Sequence, residues 1–232
     1  MILETRGLTR HFGGLKAVEQ VDFDLETNEV HALIGPNGAG KTTFVGLLCG
    51  RIAPDAGTIT FMGRDITRLP AHSRVGLGIA YTFQITSIYA ALTVFDNVAI
   101  AVQRRGSRHL DTDTRAALAR VGLDNEADLV AGALSYGHQR LLEIAMGLAL
   151  DPRLLILDEP TQGLADSEIE DFKALVRALG HSTTVLLIEH NMDVVMDLAD
   201  RITVLNSGEK LATGTPAEIR ADPTVQTAYL GE

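Results

Sequence analysis

Between Gly35 and Thr42 the chain reads Gly35-Pro36-Asn37-Gly38-Ala39-Gly40-Lys41-Thr42, followed by Thr43. The apolar run Val30-His31-Ala32-Leu33-Ile34 precedes it, and a proline-free stretch to Cys49 follows. Strand, glycine-rich turn and helix is the context in which backbone N–H groups converge on phosphate oxygens at a positively polarised helix start. Lys41 is placed to reach the β- and γ-phosphates, and the Thr42 hydroxyl to ligate Mg²⁺. These residues predict a nucleoside triphosphate site.

Two further clusters carry chemistry. Leu154-Leu155-Ile156-Leu157-Asp158-Glu159-Pro160 puts two carboxylates at the exit of an apolar strand, the edge where open α/β sheets bind ligands. Asp158 is placed to hold Mg²⁺, directly or through water, and Glu159 to polarise the water attacking the γ-phosphate. Val185-Leu186-Leu187-Ile188-Glu189-His190 repeats the arrangement, with His190 able to hydrogen-bond the γ-phosphate and that water. Gln84, after an apolar segment from Gly78, can reach Mg²⁺ or the water. Ser135, in Leu134-Ser135-Tyr136-Gly137-His138-Gln139-Arg140, suits a helix N-cap, leaving amides at Tyr136 and Gly137 for an anion.

The elements that must position these groups follow from pattern. The first ~30 residues alternate apolar and polar, as antiparallel strands do, and Thr58–Met62 reads as another strand. Residues 90–132 read as mostly helical with a polar break at 106–114, and Leu141–Leu150, Asp166–Leu179 and Met192–Ala199 as helices. Leu154–Leu157 and Val185–Ile188 read as buried parallel strands. The expected fold is α/β: a nucleotide-binding core over about 1–84 and 151–232, with an N-terminal antiparallel β part, and a helical part over about 85–150.

Composition narrows the class. The 232 residues, 46% hydrophobic, suffice for one large α/β domain. Asp and Glu outnumber Lys and Arg by 30 to 20, a net charge of −10 that argues against a nucleic-acid partner. Cys49 is the single cysteine and reads as a small buried residue, so no disulfide framework is expected. The N-terminus has neither the basic start nor the apolar stretch of a signal peptide, and no apolar run approaches ~20 residues. A cytoplasmic protein, membrane-associated only through a partner, is expected.

Together the motifs resemble the ATP-binding subunit of ATP-binding-cassette (ABC) transporters over nearly the whole chain. The resemblance implies a P-loop NTPase (RecA-like) core binding ATP and Mg²⁺. It makes Gly35–Thr42 the phosphate loop, Gln84 the glutamine loop, Ser135–Gln139 the signature, Asp158 the Mg²⁺ aspartate, Glu159 the catalytic glutamate and His190 the switch histidine. Phe12, 29 residues before Lys41, falls where such subunits stack an aromatic on adenine. The family also implies a head-to-tail pair of ATPase subunits, each signature closing over the other's ATP, docked on permease subunits at the inner face of the membrane. Arg10–Val18, Thr82-Phe83-Gln84, Leu141–Ala145, Ile188–Met192 and Ala228–Glu232 are similar to the ATPases of branched-chain amino-acid importers, which implies a solute-binding protein acting through the permease. The chain departs from the common pattern at Tyr136 and His138, and at Ala165, where an aspartate is usual and Asp166 follows.

Other classes fit less well. There is no Asn-Lys-x-Asp motif for guanine, and a small-molecule kinase would not explain Ser135–Gln139 ahead of Asp158-Glu159. Repair ATPases carry long coiled-coil inserts, whereas Gln84 and Ser135 are 51 residues apart with no sustained heptads, and translation ATPases generally carry two cassettes. A lipid or lipopolysaccharide exporter ATPase is the nearest alternative.

Overall fold

The structure, a computed structural model, describes residues 1–82 and 87–230, with the side chains of residues 229–230 left aside. Its strands are β1 (Leu3–Phe12), β2 (Leu15–Leu25), β3 (Val30–Ile34), β4 (Ala56–Phe61), β5 (Arg64–Asp65), β6 (Ile79–Tyr81), β7 (Leu154–Asp158), β8 (Thr184–Ile188), β9 (Arg201–Asn206) and β10 (Glu209–Gly214). The helices are α1 (Lys41–Leu48), α2 (Ala71–Gly76), α3 (Val94–Arg105), α4 (Leu110–Arg120), α5 (Tyr136–Ala149), α6 (Asp166–Gly180), α7 (Met192–Leu198), α8 (Pro216–Ala221) and α9 (Pro223–Leu230).

Two sheets result. β2-β1-β4-β5 is antiparallel, and the larger sheet runs β10-β9-β3-β8-β7-β6, parallel except for β10. Every residue of β3, β7 and β8 is buried, as unbroken apolar runs require of strands covered on both faces. In β2 burial alternates from Val21 to Leu25, so that strand has one wet face. Phe23, Phe44 and Phe61 join the antiparallel sheet and α1 to one face of the large sheet. Leu155, Leu157, Val185 and Leu187 on the opposite face share a continuous core with α3, α4, α5 and α6.

The helical stretch differs from its pattern. Gly106, at φ +82°, ends α3, but α4 already begins at Leu110, with Asp111 and Asp113 in its first turn where the helix dipole favours acids. Between Val121 and Leu134 the chain is not helical apart from a 3₁₀ turn at Ala131–Ala133, because carbonyls there are engaged elsewhere. Leu129 and Ala127 carbonyls accept from Val94 and Phe95 N–H at 2.8 Å each, satisfying the start of α3. The helix that carries Leu141–Leu150 starts at Tyr136, directly after the expected cap: the Ser135 hydroxyl accepts from His138 N–H at 3.2 Å. Cys49 is buried, which pushes its thiol pKa up to about 12 and makes it inert.

Candidate functional site

The glycine-rich loop of residues 35–40 leaves β3 and enters α1 directly. Gly40 caps α1 at φ +99°, and a Cβ there would lie 2.1 Å from the Ala17 carbonyl oxygen. At Gly35 a Cβ would lie 2.2 Å from the Leu205 carbonyl oxygen, so the turn is tight enough to exclude side chains at both positions. Above the loop lies an open cleft of about 360 Å³, walled by Asn37 to Thr43, Leu15, Ala17, Glu159 and His190. First-turn amides of α1 have no intrahelical acceptor and open toward this space. Lys41 Nζ donates to the carbonyls of Gly35 at 2.6 Å and Pro36 at 3.1 Å. Burial holds its pKa below the usual lysine value, while the charges of Glu159 and Asp158 pull the other way.

Parallel pairing of β7 with β8 brings the two carboxylate-bearing strand ends side by side, Asp158 opposite Ile188. Glu159 N–H donates to the Ile188 carbonyl at 2.8 Å, and Glu159 Oε1 lies 2.6 Å from His190 Nε2. Glu159 adopts φ +48°, a left-handed backbone that is costly for a side-chain-bearing residue. Asp158 is buried and accepts from the Tyr81 hydroxyl at 2.6 Å. Burial raises its pKa above the ordinary carboxylate value, with the Glu159 charge adding and the Tyr81 hydrogen bond opposing. Burial, then the bond to Asp158, raises the Tyr81 phenol in turn.

Mg²⁺ needs only one or two carboxylates when phosphates and water complete its shell. One carboxylate at Asp158 and one hydroxyl at Thr42 are such a set, and the described residues contain no cluster of three or more His, Cys, Asp or Glu that would form an all-protein cage. Gln84, the other predicted ligand, lies outside the described residues. Tyr81 carried no signal in the sequence, since its partner is 77 positions away.

The remaining predicted residues sit apart from this cleft. Ser135, Tyr136, Gly137, His138 and Gln139 start α5 and do not line it. Phe12, at the end of β1, is 46% exposed with the Arg10 guanidinium 4.7 Å from its ring centroid, so it is not a core residue. Ala165 precedes α6 without a side-chain acceptor, and its N–H is held by the Glu168 carboxylate at 2.9 Å. Of the other histidines, His31 is wholly buried between Glu29 and Thr203, at 3.0 and 2.8 Å, and is structural.

The sequence pattern of the family described as ABC transporter matches residues 18–162. The chain belongs to the ABC transporter family. A second pattern, described as branched-chain amino acid ATP-binding cassette transporter, matches residues 209–232. The high-affinity branched-chain amino acid transport ATP-binding protein BraF of Pseudomonas aeruginosa is 42% identical, covering 100% of this chain and 98% of its own length. LivG of Escherichia coli, described in the same words, is 41% identical over the same shares. The lipopolysaccharide export system ATP-binding protein LptB of Haemophilus influenzae is 34% identical, again over 100% and 98%. Among solved structures, a nucleotide-free ATP-binding cassette from an ABC transporter superposes with a TM-score of 0.91 at 28% identity, covering 100% of this chain and 99% of that one. ATP binding and hydrolysis follow from membership of this ABC family. Among the described residues, no helix is long and apolar enough to cross a membrane.

Proposed function

We propose that this chain is the ATP-hydrolysing subunit that powers uptake of branched-chain or related amino acids through a membrane permease. The observation that carries the solute class is the 42% identity to BraF along the full chain, against 34% to the lipopolysaccharide exporter subunit. The permease, a solute-binding protein acting through it, and a second ABC ATPase subunit, identical or paralogous, are the partners. The chain then sits on the inner face of the membrane without entering it.

The loop amides from Asn37 to Thr43 and Lys41 hold the triphosphate, and Phe12 stacks on adenine. Thr42, Asp158 and Gln84 would hold Mg²⁺, which would supply positive charge to the bound triphosphate. Glu159 orients and deprotonates the attacking water, and His190 keeps the Glu159 carboxylate directed at it. Ser135–Gln139 do not line the cleft of their own chain, and the family resemblance implies that they supply amides to ATP held by the second subunit. Closure of the pair therefore depends on ATP, and hydrolysis reopens it.

Glu159→Gln tests the core of this reading. Turnover is expected to fall by about 10²–10⁴-fold, the worth of a positioned base, with ATP binding retained. Size-exclusion chromatography in Mg-ATP, with the second subunit added if it is a different chain, should reveal a trapped dimer that Ser135→Arg abolishes. Near-normal turnover by Glu159→Gln in the assembled transporter would overturn the assignment of the base.

A further inference from the structure

Glu189 is the residue between the strand β8 and His190, and none of the chemistry above uses it. It is 3% exposed, and its two carboxylate oxygens are divided between two loops. Oε1 accepts from the Thr161 N–H at 2.9 Å and the Thr161 hydroxyl at 2.5 Å. Oε2 accepts from the N–H groups of His190 at 2.8 Å and Asn191 at 3.1 Å. One buried side chain thus bolts the turn after Glu159 to the loop bearing His190.

We propose that Glu189 is a positioning residue for hydrolysis, setting the carboxylate of Glu159 against the imidazole of His190. The inference rests on Glu159 acting as the base. A left-handed backbone at a non-glycine residue persists only where its surroundings over-determine it, and Glu159 is such a residue at φ +48°. Its own N–H is tied to Ile188 on one side, and two residues later Thr161 is tied to Glu189 on the other. The far end of the second loop is equally fixed, because the Asn191 side chain accepts from Asp193 and Val194 N–H and caps α7. The 2.6 Å contact between Glu159 and His190 is therefore the outcome of two loops held rigid by a shared carboxylate. Only a carboxylate serves, since it offers acceptors in both directions and no donor. A glutamine turns an NH₂ group toward one of the two donor pairs, and an aspartate is too short to span both loops.

The test measures turnover, KM for ATP, ATP affinity by titration and thermal stability in the assembled ATPase. Glu189→Gln is expected to lower kcat by about 10–100-fold, the usual result of misplacing a reacting group by an ångström or less. KM and ATP affinity should stay within about twofold, because the loop from Asn37 to Thr43 is untouched. In a Glu159→Gln background, adding Glu189→Gln should change the residual turnover by less than about twofold, as residues acting as one unit do. Glu189→Asp should recover less than half of the lost kcat. If Glu189→Gln fails to fold, Thr161→Val, which removes only the hydroxyl donor, should give a smaller kcat loss with the same unchanged KM. Unchanged kcat with a lowered Tm overturns the proposal and makes Glu189 a fold stabiliser. Losses that multiply with Glu159→Gln overturn it too. Near-normal turnover by Glu159→Gln alone overturns the base assignment instead, and is read from that variant without Glu189.

Discussion

Asp158 and Glu159 are chain neighbours in unlike environments: Asp158 is sealed against Tyr81, whereas Glu159 faces the phosphate cleft beside His190. The burial of Asp158 has a consequence for stability. The folded chain holds its proton more tightly than the unfolded chain does, so the resulting stabilisation is fully present below the ordinary carboxylate pKa. It is lost as pH rises through the raised value, and at neutral pH the ionised group costs stability. Asp158→Asn, which keeps an acceptor for the Tyr81 hydroxyl, is therefore expected to raise Tm at pH 7 in nucleotide-free, chelator-treated protein. The gain should shrink as pH falls into the carboxylate range, measured by calorimetry across that range. A second outcome belongs to Phe12. Its exposure fits a stacking platform, worth about 1–3 kcal/mol per base. Phe12→Ala should weaken ATP binding by about one to two powers of ten and Phe12→Tyr hardly at all, as read by nucleotide titration.

Among the elements, α1 has to be fixed at both ends for the phosphate loop to keep its shape. Its start is held by Gly40 against Ala17, and its end by a single buried side chain, Arg74 on α2. The Arg74 guanidinium donates to the carbonyls of Leu47 at 2.7 Å and Leu48 at 2.8 Å, closing the open end of α1, and also to Leu69 and Thr67. Lysine carries the same charge but lacks the planar fork that reaches four carbonyls. Arg74→Lys is expected to cost about 2–4 kcal/mol by denaturant titration, since one or two buried acceptors lose their donor at ~1–3 kcal/mol each. Loss of stability below ~0.5 kcal/mol would mean that water satisfies these carbonyls.

At the scale of the whole molecule, the fold carries another, more apolar cavity of about 370 Å³ besides the cleft above the glycine-rich loop. Ile88, Tyr89, Ile100 and Met146 line it, and Tyr89 and Ile100 are exposed. Asn97, fully buried, fixes its rim by exchanging two hydrogen bonds with the Tyr89 backbone at 2.7 and 3.1 Å. Under the transporter reading we propose that a permease segment inserts at this apolar rim between α3 and α5. Tyr89→Glu and Ile100→Glu should leave ATP binding by the isolated chain unchanged and abolish co-purification with the permease. Intact complexes with both variants would place the contact elsewhere.

The glycine-rich loop, the apolar runs of β3, β7 and β8, the acids ending β7 and the Ser135 cap were legible in the sequence, because each rests on residues within a few positions of one another. Phosphate binding by backbone amides and strand burial on both faces are local demands that leave local patterns. The same holds for the family resemblance, whose motifs are each short. What the chain order did not contain is which side chains meet across the sheet. Tyr81 reaches Asp158 over 77 positions, His190 meets Glu159 over 31, and Glu189 grips Thr161 over 28. All three depend on β6, β7 and β8 lying side by side in parallel register, which long-range burial selects and no local period encodes. The non-helical stretch at 121–130 departs from the helical pattern of 90–132 for the same reason: the start of α3 claims backbone carbonyls there that local propensity would assign to a helix. The glycine-rich loop between a buried strand and a helix was thus readable from local order alone, whereas the contacts of Tyr81 with Asp158, Glu159 with His190 and Thr161 with Glu189 arise only when the sheet brings distant strand ends together.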